Sequence, residues 1–462
     1  EYLNLLTSGY GTSTQTTNNL GVFILPDTYG YNSWSTYMWV PLTDAYGNLV
    51  AVNVPSGQQT LQLLSGGGEN VIDFMFVPFS ASGLPPVINN LNPAVNQVNT
   101  YINAANITFS VSSAGSTIAT NKIQTLLNGT DISSSETFTG NNMNWSVSIP
   151  VPQNQILTMV IKATDANGAS NSLTATFDTF SQTNFTIEAE DFDFNGGQYI
   201  DNPVPTGPNT GPEADSYFFY PANNPANLAV TNVDFVTLSV PGNQAYRPLD
   251  NVGTEPNVDF LRDKLIDNGV TNSDYDVGWW DKGAWLNYTR TIPTNNYYVY
   301  GRLAGGGAFS GTTLSLVTSG QGTTTQTTQV LGSFADPNAG GWADWRWVPM
   351  LNTNGQMAVV SLGGVETLRA TSGGGLNANY YMFVSAPAAA APVSLAASVS
   401  GSNIRFSFQT QNGFVYTVLY KDNLTDASWQ TLTSIMGNGS VQTATDGMGQ
   451  THRFYKLSIS PQ

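Results

Sequence analysis

The sequence predicts an all-β protein, and three observations carry that expectation. Gly, Thr, Ser and Asn abound, while 10% of the 462 residues are charged and 11% aromatic, a balance that suits many short strands joined by polar turns. Sustained helical periodicity is nearly absent; the one charged stretch able to turn helically, Asp259-Phe-Leu-Arg-Asp-Lys-Leu-Ile266, is short. Third, one unit occurs twice. Thr7-Ser-Gly-Tyr-Gly-Thr-Ser-Thr-Gln-Thr-Thr17 is echoed by Thr318-Ser-Gly-Gln-Gly-Thr-Thr-Thr-Gln-Thr-Thr328, and Trp34-Ser-Thr-Tyr-Met-Trp-Val-Pro41 by Trp342-Ala-Asp-Trp-Arg-Trp-Val-Pro349. Ser65-Gly-Gly-Gly68 then matches Ser372-Gly-Gly-Gly375, and Met75-Phe-Val77 matches Met382-Phe-Val384. The offset falls only from 311 to 308 to 307, as two copies with small loop deletions require. The second copy has a long lead-in before Leu314 that the first lacks, so residue 1 is expected to lie inside a domain.

Taken in order, residues 1–83 form the truncated first copy. Leu84-Pro-Pro86 reads as an extended linker. From 84 to 180 short alternating runs (Ile107–Val111, Trp145–Ile149, Thr158–Ala163, Leu173–Phe177) are split by Asn128-Gly129 and Asp165-Ala-Asn-Gly168, the pattern of an immunoglobulin-like sandwich. Residues 181–388 form a larger β domain closed by Ala386-Pro-Ala-Ala-Ala-Ala-Pro392. The remainder, 389–462, alternates again at Ile404–Phe408, Val415–Tyr420 and Arg453–Leu457, as in a second immunoglobulin- or fibronectin-III-like sandwich.

The charge balance excludes whole classes of partner. With 14 Lys+Arg against 31 Asp+Glu and no basic cluster, phosphate neutralisation is not available, so nucleic acid is not expected as a partner. The same sign disfavours anionic membrane surfaces, and no run of 18 apolar residues predicts membrane insertion. The sequence holds no cysteine, which removes disulfides, thiol catalysis and zinc fingers together. Its Thr/Asn/Gly-rich, Lys-poor character fits a secreted or cell-surface location. No enzyme is expected: the single histidine, His452, lies in a strand-like run, and no pair of opposed carboxylates is marked by a motif.

Four segments in order resemble a family 6 carbohydrate-binding module: Glu188-Ala-Glu190 followed by Val277-Gly-Trp-Trp-Asp-Lys-Gly-Ala-Trp-Leu-Asn-Tyr288; Tyr297-Tyr-Val-Tyr-Gly-Arg-Leu-Ala304; Gly340-Gly-Trp-Ala-Asp-Trp345; and Leu376-Asn-Ala-Asn-Tyr380. The resemblance covers about 185–385 in full and 1–80 as the C-terminal part of a copy. The stretch 198–274 is longer than that family leads one to expect, and its role is open. The flanking sandwiches resemble modules of large secreted proteins from Verrucomicrobia-like and Planctomycetes-like bacteria. The resemblance implies a β-jelly roll, a sugar site with Trp279 and Trp342 as facing aromatics and Asn377 as the hydrogen-bonding amide, and a structural calcium ion near the Glu-x-Glu strand. In the first copy Trp34 and Asn70 match Trp342 and Asn377.

The residues themselves are consistent with these roles and leave alternatives open. Trp345 and Trp347 share one strand face, as do Tyr37 and Trp39, and both pairs read as core. Trp342 and Trp34 have the opposite parity; such an indole offers a face to sugar C–H groups or seals a core edge. Trp279 and Trp280 point opposite ways on a strand, so one is expected buried and one exposed. Asn377 is a sugar ligand or a turn residue bonding its own backbone. Glu188 and Glu190 share a face and repel unless a cation joins them, with Asn379 as a third oxygen donor; otherwise they form an exposed acidic edge. The reading is a non-catalytic glycan-binding protein, or the binding tail of a larger polysaccharide-active or adhesive one. A structural subunit that self-assembles into an extracellular filament or coat is the alternative.

Overall fold

The computed structural model describes residues 1–25, 37–67, 71, 73–78, 83–94, 106–201, 203, 228–267, 270–386, 393–411, 414–426, 428–449 and 452–461. Trp34 and Asn70 lie outside them. The fold is all-β, as expected: the helical candidate at 259–266 supplies one 3₁₀ turn, Asp263–Leu265.

Among the described residues the first copy forms an antiparallel sheet of β1 (Tyr2–Ser8), β2 (Thr16–Phe23), β3 (Leu42–Thr43) and β4 (Leu61–Leu64), in the order β3-β2-β1-β4. Buried Asn48 ties the loop after β3 to Ile88 and Asn171. Its amide donates to the Ile88 carbonyl (2.6 Å) and accepts from the Ile88 N–H (2.9 Å) and from the Asn171 amide (2.8 Å). A two-sheet sandwich comes next, built from β5 (Val87–Asn92), β6 (Asn106–Ser112), β7 (Ile123–Leu127), β8 (Thr130–Asp131), β9 (Thr137–Asn141), β10 (Asn144–Pro150), β11 (Ile156–Thr164) and β12 (Ser170–Asp178). Its sheets run β5-β6-β10-β9 and β12-β11-β7-β8. Period-two alternation turns Ile107, Phe109, Val111, Leu157, Met159 and Ile161 inward, all buried. Asn128-Gly129 closes the β7–β8 hairpin with both residues at positive φ (48° and 80°), as a two-residue primed turn requires.

The jelly roll comprises β13 (Phe185–Glu188), β14 (Phe235–Val236), β15 (Thr254–Pro256), β16 (Ile266–Asp267), β17 (Val270–Thr271), β18 (Tyr275–Val277), β19 (Trp285–Gly305), β20 (Phe309–Ser319), β21 (Thr327–Asp336), β22 (Gly341–Pro349), β23 (Val359–Thr371) and β24 (Leu376–Ser385). The 21-residue β19 organises it. Its first half pairs with β14 and β23, and the β23 ladder runs on past a register shift between Ile292 and Asn295 to Tyr298; from Tyr297 onward it pairs with β24, and from Tyr300 with β22. β19 thus joins β23, β24 and β22 in one ten-stranded sheet, and the core includes Leu286, Tyr288, Val299, Leu303, Leu368 and Tyr381. A last sandwich, β25 (Ala396–Ser400), β26 (Asn403–Gln409), β27 (Phe414–Lys421), β28 (Gln430–Met436), β29 (Val441–Gly447) and β30 (Phe454–Pro461), packs Phe406, Phe408, Phe414, Tyr416 and Val418 between two three-stranded sheets.

The repeat is visible in hydrogen-bond register. Leu3 pairs with Gly21 and Leu63, and its counterpart Leu314 pairs with Gly332 and Ala370, the equivalent positions one copy later. Even the Thr7–Thr16 hydroxyl contact (2.8 Å) recurs as Thr318–Thr327 (2.9 Å).

Burial does not repeat. Trp345 and Trp347 are buried as parity requires, with Trp347 packed by Phe180, Tyr380 and the Arg302 guanidinium. Tyr37 and Trp39, expected as core, are instead 53% and 71% exposed, because no described strand of the first copy does for them what β19 and its neighbours do for their counterparts. Truncating Trp345 to Ala should therefore cost roughly 3–5 kcal/mol, the usual penalty for emptying a buried aromatic site. Trp39→Ala should stay within about 0.5 kcal/mol. Denaturant unfolding of both variants checks the contrast.

Candidate binding site and the buried charge beside it

Tyr275–Val277 is a short strand because the chain turns at Trp279, whose φ of +47° is left-handed. The turn, rather than strand alternation, sends the two indoles apart: Trp280 is buried, while Trp279 is 47% exposed. Trp342, at the start of β22, is 56% exposed, on the opposite parity to Trp345. Each exposed indole is seated on a glycine. A Cβ at Gly242 would lie 2.7 Å from Trp279 Nε1, and one at Gly306 would lie 2.5 Å from Trp342 Cε2. Only a bare backbone lets the rings lie that close, and the seats hold them in place.

Asn377 links the two. It sits in β24 rather than a turn, is buried, and its Nδ2 donates to Glu255 Oε1 (3.2 Å) and to the Trp342 carbonyl (3.3 Å). A Cβ on Gly278, the residue before Trp279, would lie 3.1 Å from Asn377 Oδ1. The amide hydrogens are thus engaged within the protein, with Glu255 and the Trp342 backbone. Glu255, half-buried, joins the site through β15, which pairs with β18 opposite Asp276. Sequence reasoning missed it because it lies in the stretch 198–274, which carried no motif. Its local signal, a lone carboxylate in Gly253-Thr-Glu-Pro256, is too weak to single it out. A recess of about 610 Å³ elsewhere, on the first sandwich, is lined by Lys122, Glu136, Phe138 and Lys162 and shares no residue with this site.

Two residues beyond Asn377, Asn379 leads into a buried ionic network. Glu188 and Glu190 are buried, not an exposed acidic edge. Arg262 grips Glu188 with both amino groups, Nη1–Oε1 at 2.7 Å and Nη2–Oε2 at 2.5 Å, and Lys264 adds a third contact to Oε1. Arg262 lies 3.6 Å from Asp274 and stacks over the Tyr380 ring at 3.7 Å. Asn379 Nδ2 donates to Asp259 (3.0 Å) and Asp274 (3.1 Å), and Asp259 is paired bidentately with Arg302. Burial alone would raise the Glu188 carboxyl, but Arg262 and Lys264 hold it down at about 2. Glu190 goes the other way, well above the carboxylate range, from burial and then from Asp191, Glu188 and Asp274. Burial followed by neighbouring acids also lifts Asp276 to about 8; Asp274 reaches about 7 through burial, partly offset by Arg262.

One oxygen each of Glu188, Glu190 and Asp274 falls within 4.8 Å of the others, a cluster that in isolation could hold a cation. Calcium needs six to eight oxygen ligands with lone pairs to spare. Here both Glu188 oxygens are engaged by a guanidinium and an ammonium, and Asn379 turns its Nδ2 hydrogens toward the acids. Within this set, Glu190 Oε2 and Asn379 Oδ1 are the buried oxygens left without a hydrogen bond. The set as folded does not fit a divalent ion. His452, the sole histidine, is exposed beside Phe454.

No protein-family model matches the sequence, and no curated protein matches it. Among solved structures, the chain is similar to a family 6 carbohydrate-binding module from Clostridium stercorarium in complex with cellobiose, at 17% identity over 25% of this chain and 76% of that one, with a TM-score of 0.20. It is similar to such a module of the Cellvibrio mixtus lichenase 5A in complex with cellotriose, at 25% identity over 29% of this chain and 85% of that one, again with a TM-score of 0.20. A longer match, to a Paenibacillus xanthan lyase, has 11% identity over 77% of this chain and 34% of that one, with a TM-score of 0.25. At these scores the likenesses carry no argument about the site, which is read from its own geometry.

The raised acids set a pH dependence. Asp276 and Asp274 are neutral in the fold below about 8 and about 7 but ionise near 3.8 when unfolded, so each favours the folded state at low pH and loses that effect as pH rises through its folded value. Glu188 acts oppositely, stabilising above its ordinary 4.5 and losing this toward about 2. The jelly roll should thus melt at a higher temperature near pH 5 than near pH 8.5, by roughly 5 °C or more. Calorimetry across that range reads it out; a flat or rising profile contradicts the network as described.

Proposed function

We propose that this chain is a non-catalytic, secreted, multimodular carbohydrate-binding protein, or the binding tail of a larger polysaccharide-active or adhesive protein. The observation that carries the reading is the pair of exposed indoles, Trp279 and Trp342, each seated on a glycine and joined through Asn377. Pyranose rings present apolar C–H faces that stack on indoles, while their hydroxyls need a few fixed acceptors. The half-buried Glu255 carboxylate, held by Asn377 beside Gly278, supplies one. Ring orientation is preset by the glycine seats, which lowers the entropy cost of binding.

Self-assembly is a second reading, favoured by the exposed Tyr37, Trp39, Met75, Phe76 and Val77 of the first copy together with β4, which ends its sheet among the described residues. A neighbouring subunit of a filament or coat could add a strand there.

Two measurements separate these. On a glycan array the full chain should bind at least one polysaccharide. Trp342→Ala should abolish that binding with the circular dichroism spectrum unchanged, since the ring lies off the core. A Trp342→Ala variant that unfolds, or binds as well as the parent, overturns the site. Sedimentation should show a monomer at micromolar concentration; concentration-dependent polymers that Trp39→Asp disrupts would instead establish the structural reading.

A further inference from the structure

We infer that Arg262 and Lys264 serve as a built-in counter-ion at the position where the resemblance implies a structural calcium ion, so that this jelly roll folds without metal. The inference does not depend on whether the chain binds sugar. Both cations come from one short piece of the long insertion, the 3₁₀ turn Asp263–Leu265 and the residue before it. Arg262 is buried, and its flat fork matches the Glu188 carboxylate with two charge-assisted hydrogen bonds. The same guanidinium faces Asp274 and stacks on Tyr380, so it bridges the two acids that, with Glu190, form the cluster. Lys264 adds a second positive charge from the partly exposed side. A dication at this place would face two fixed positive charges and a carboxylate with both oxygens engaged. Asn379, neutral where a carboxylate would strengthen a calcium site, instead donates to Asp259 and Asp274. The insertion therefore does electrostatically what an ion would do: it neutralises Glu188 and fixes its strand against β18 and β24.

The test uses the full chain and calcium or terbium as probes. Wild-type melting temperature should be the same, within about 1 °C, in EDTA and in millimolar calcium. Replacing both cations (Arg262→Met with Lys264→Met) should lower it by roughly 10 °C or more in EDTA. Calcium should restore part of the loss, and terbium luminescence sensitised by the nearby Tyr380 should appear only in the double variant. Should that variant fail to fold, Glu188→Gln decides on its own. A calcium stabilisation of the wild type that Glu188→Gln removes overturns the proposal. No calcium effect on the wild type supports it. A double variant as stable in EDTA as the wild type also overturns it, since the cations would then do nothing for the fold.

Discussion

The jelly roll depends on how it accommodates buried charge. In a chain with few charged residues, Glu188, Glu190, Asp191, Asp193, Asp274 and Asp276 are all buried in one domain. Isolated, each such carboxylate would cost several kcal/mol. The Glu188–Arg262 clamp offsets part of that cost, and like the Asp259–Arg302 pair it spans from the insertion to the strands of the roll. Where no cation reaches, as at Glu190 and Asp276, the carboxyl is driven toward its neutral form. The insertion is held by charge, and it then places Glu255 against Asn377 and Gly242 under Trp279. The candidate binding end is thus a consequence of the ionic clamp deeper in the domain.

The two copies show what a hydrogen-bond ladder can and cannot do. Their strands pair residue for residue, with the same bulges, because glycine turns and threonine pairs set the register locally. Their burial differs because it is a property of the layer opposite. β23 pairs on its far side with the long β19, which in turn carries β24 and β22; β4, its counterpart, ends its sheet among the described residues. Closely similar local sequence yields buried Trp347 in one copy and exposed Trp39 in the other.

The sequence by itself determined the all-β class, the alternating strands of the two sandwiches and the repeat, since alternation, Asn-Gly turns and glycine runs act over a few residues and leave their mark on the chain. Strand parity also separated Trp345 and Trp347 from Trp342, because a strand period of two needs no knowledge of the partner. Only the tertiary structure decided which of Trp279 and Trp280 is exposed, because a left-handed turn, not a strand, separates them. It alone revealed that Glu188 has Arg262 and Lys264 for company, and that Glu255 stands beside Asn377. Those partners are 74, 76 and 122 residues apart in the chain. Charge complementarity over such separations leaves no local pattern: it arises only when an insertion without a periodic signature folds back onto the strand that needs it.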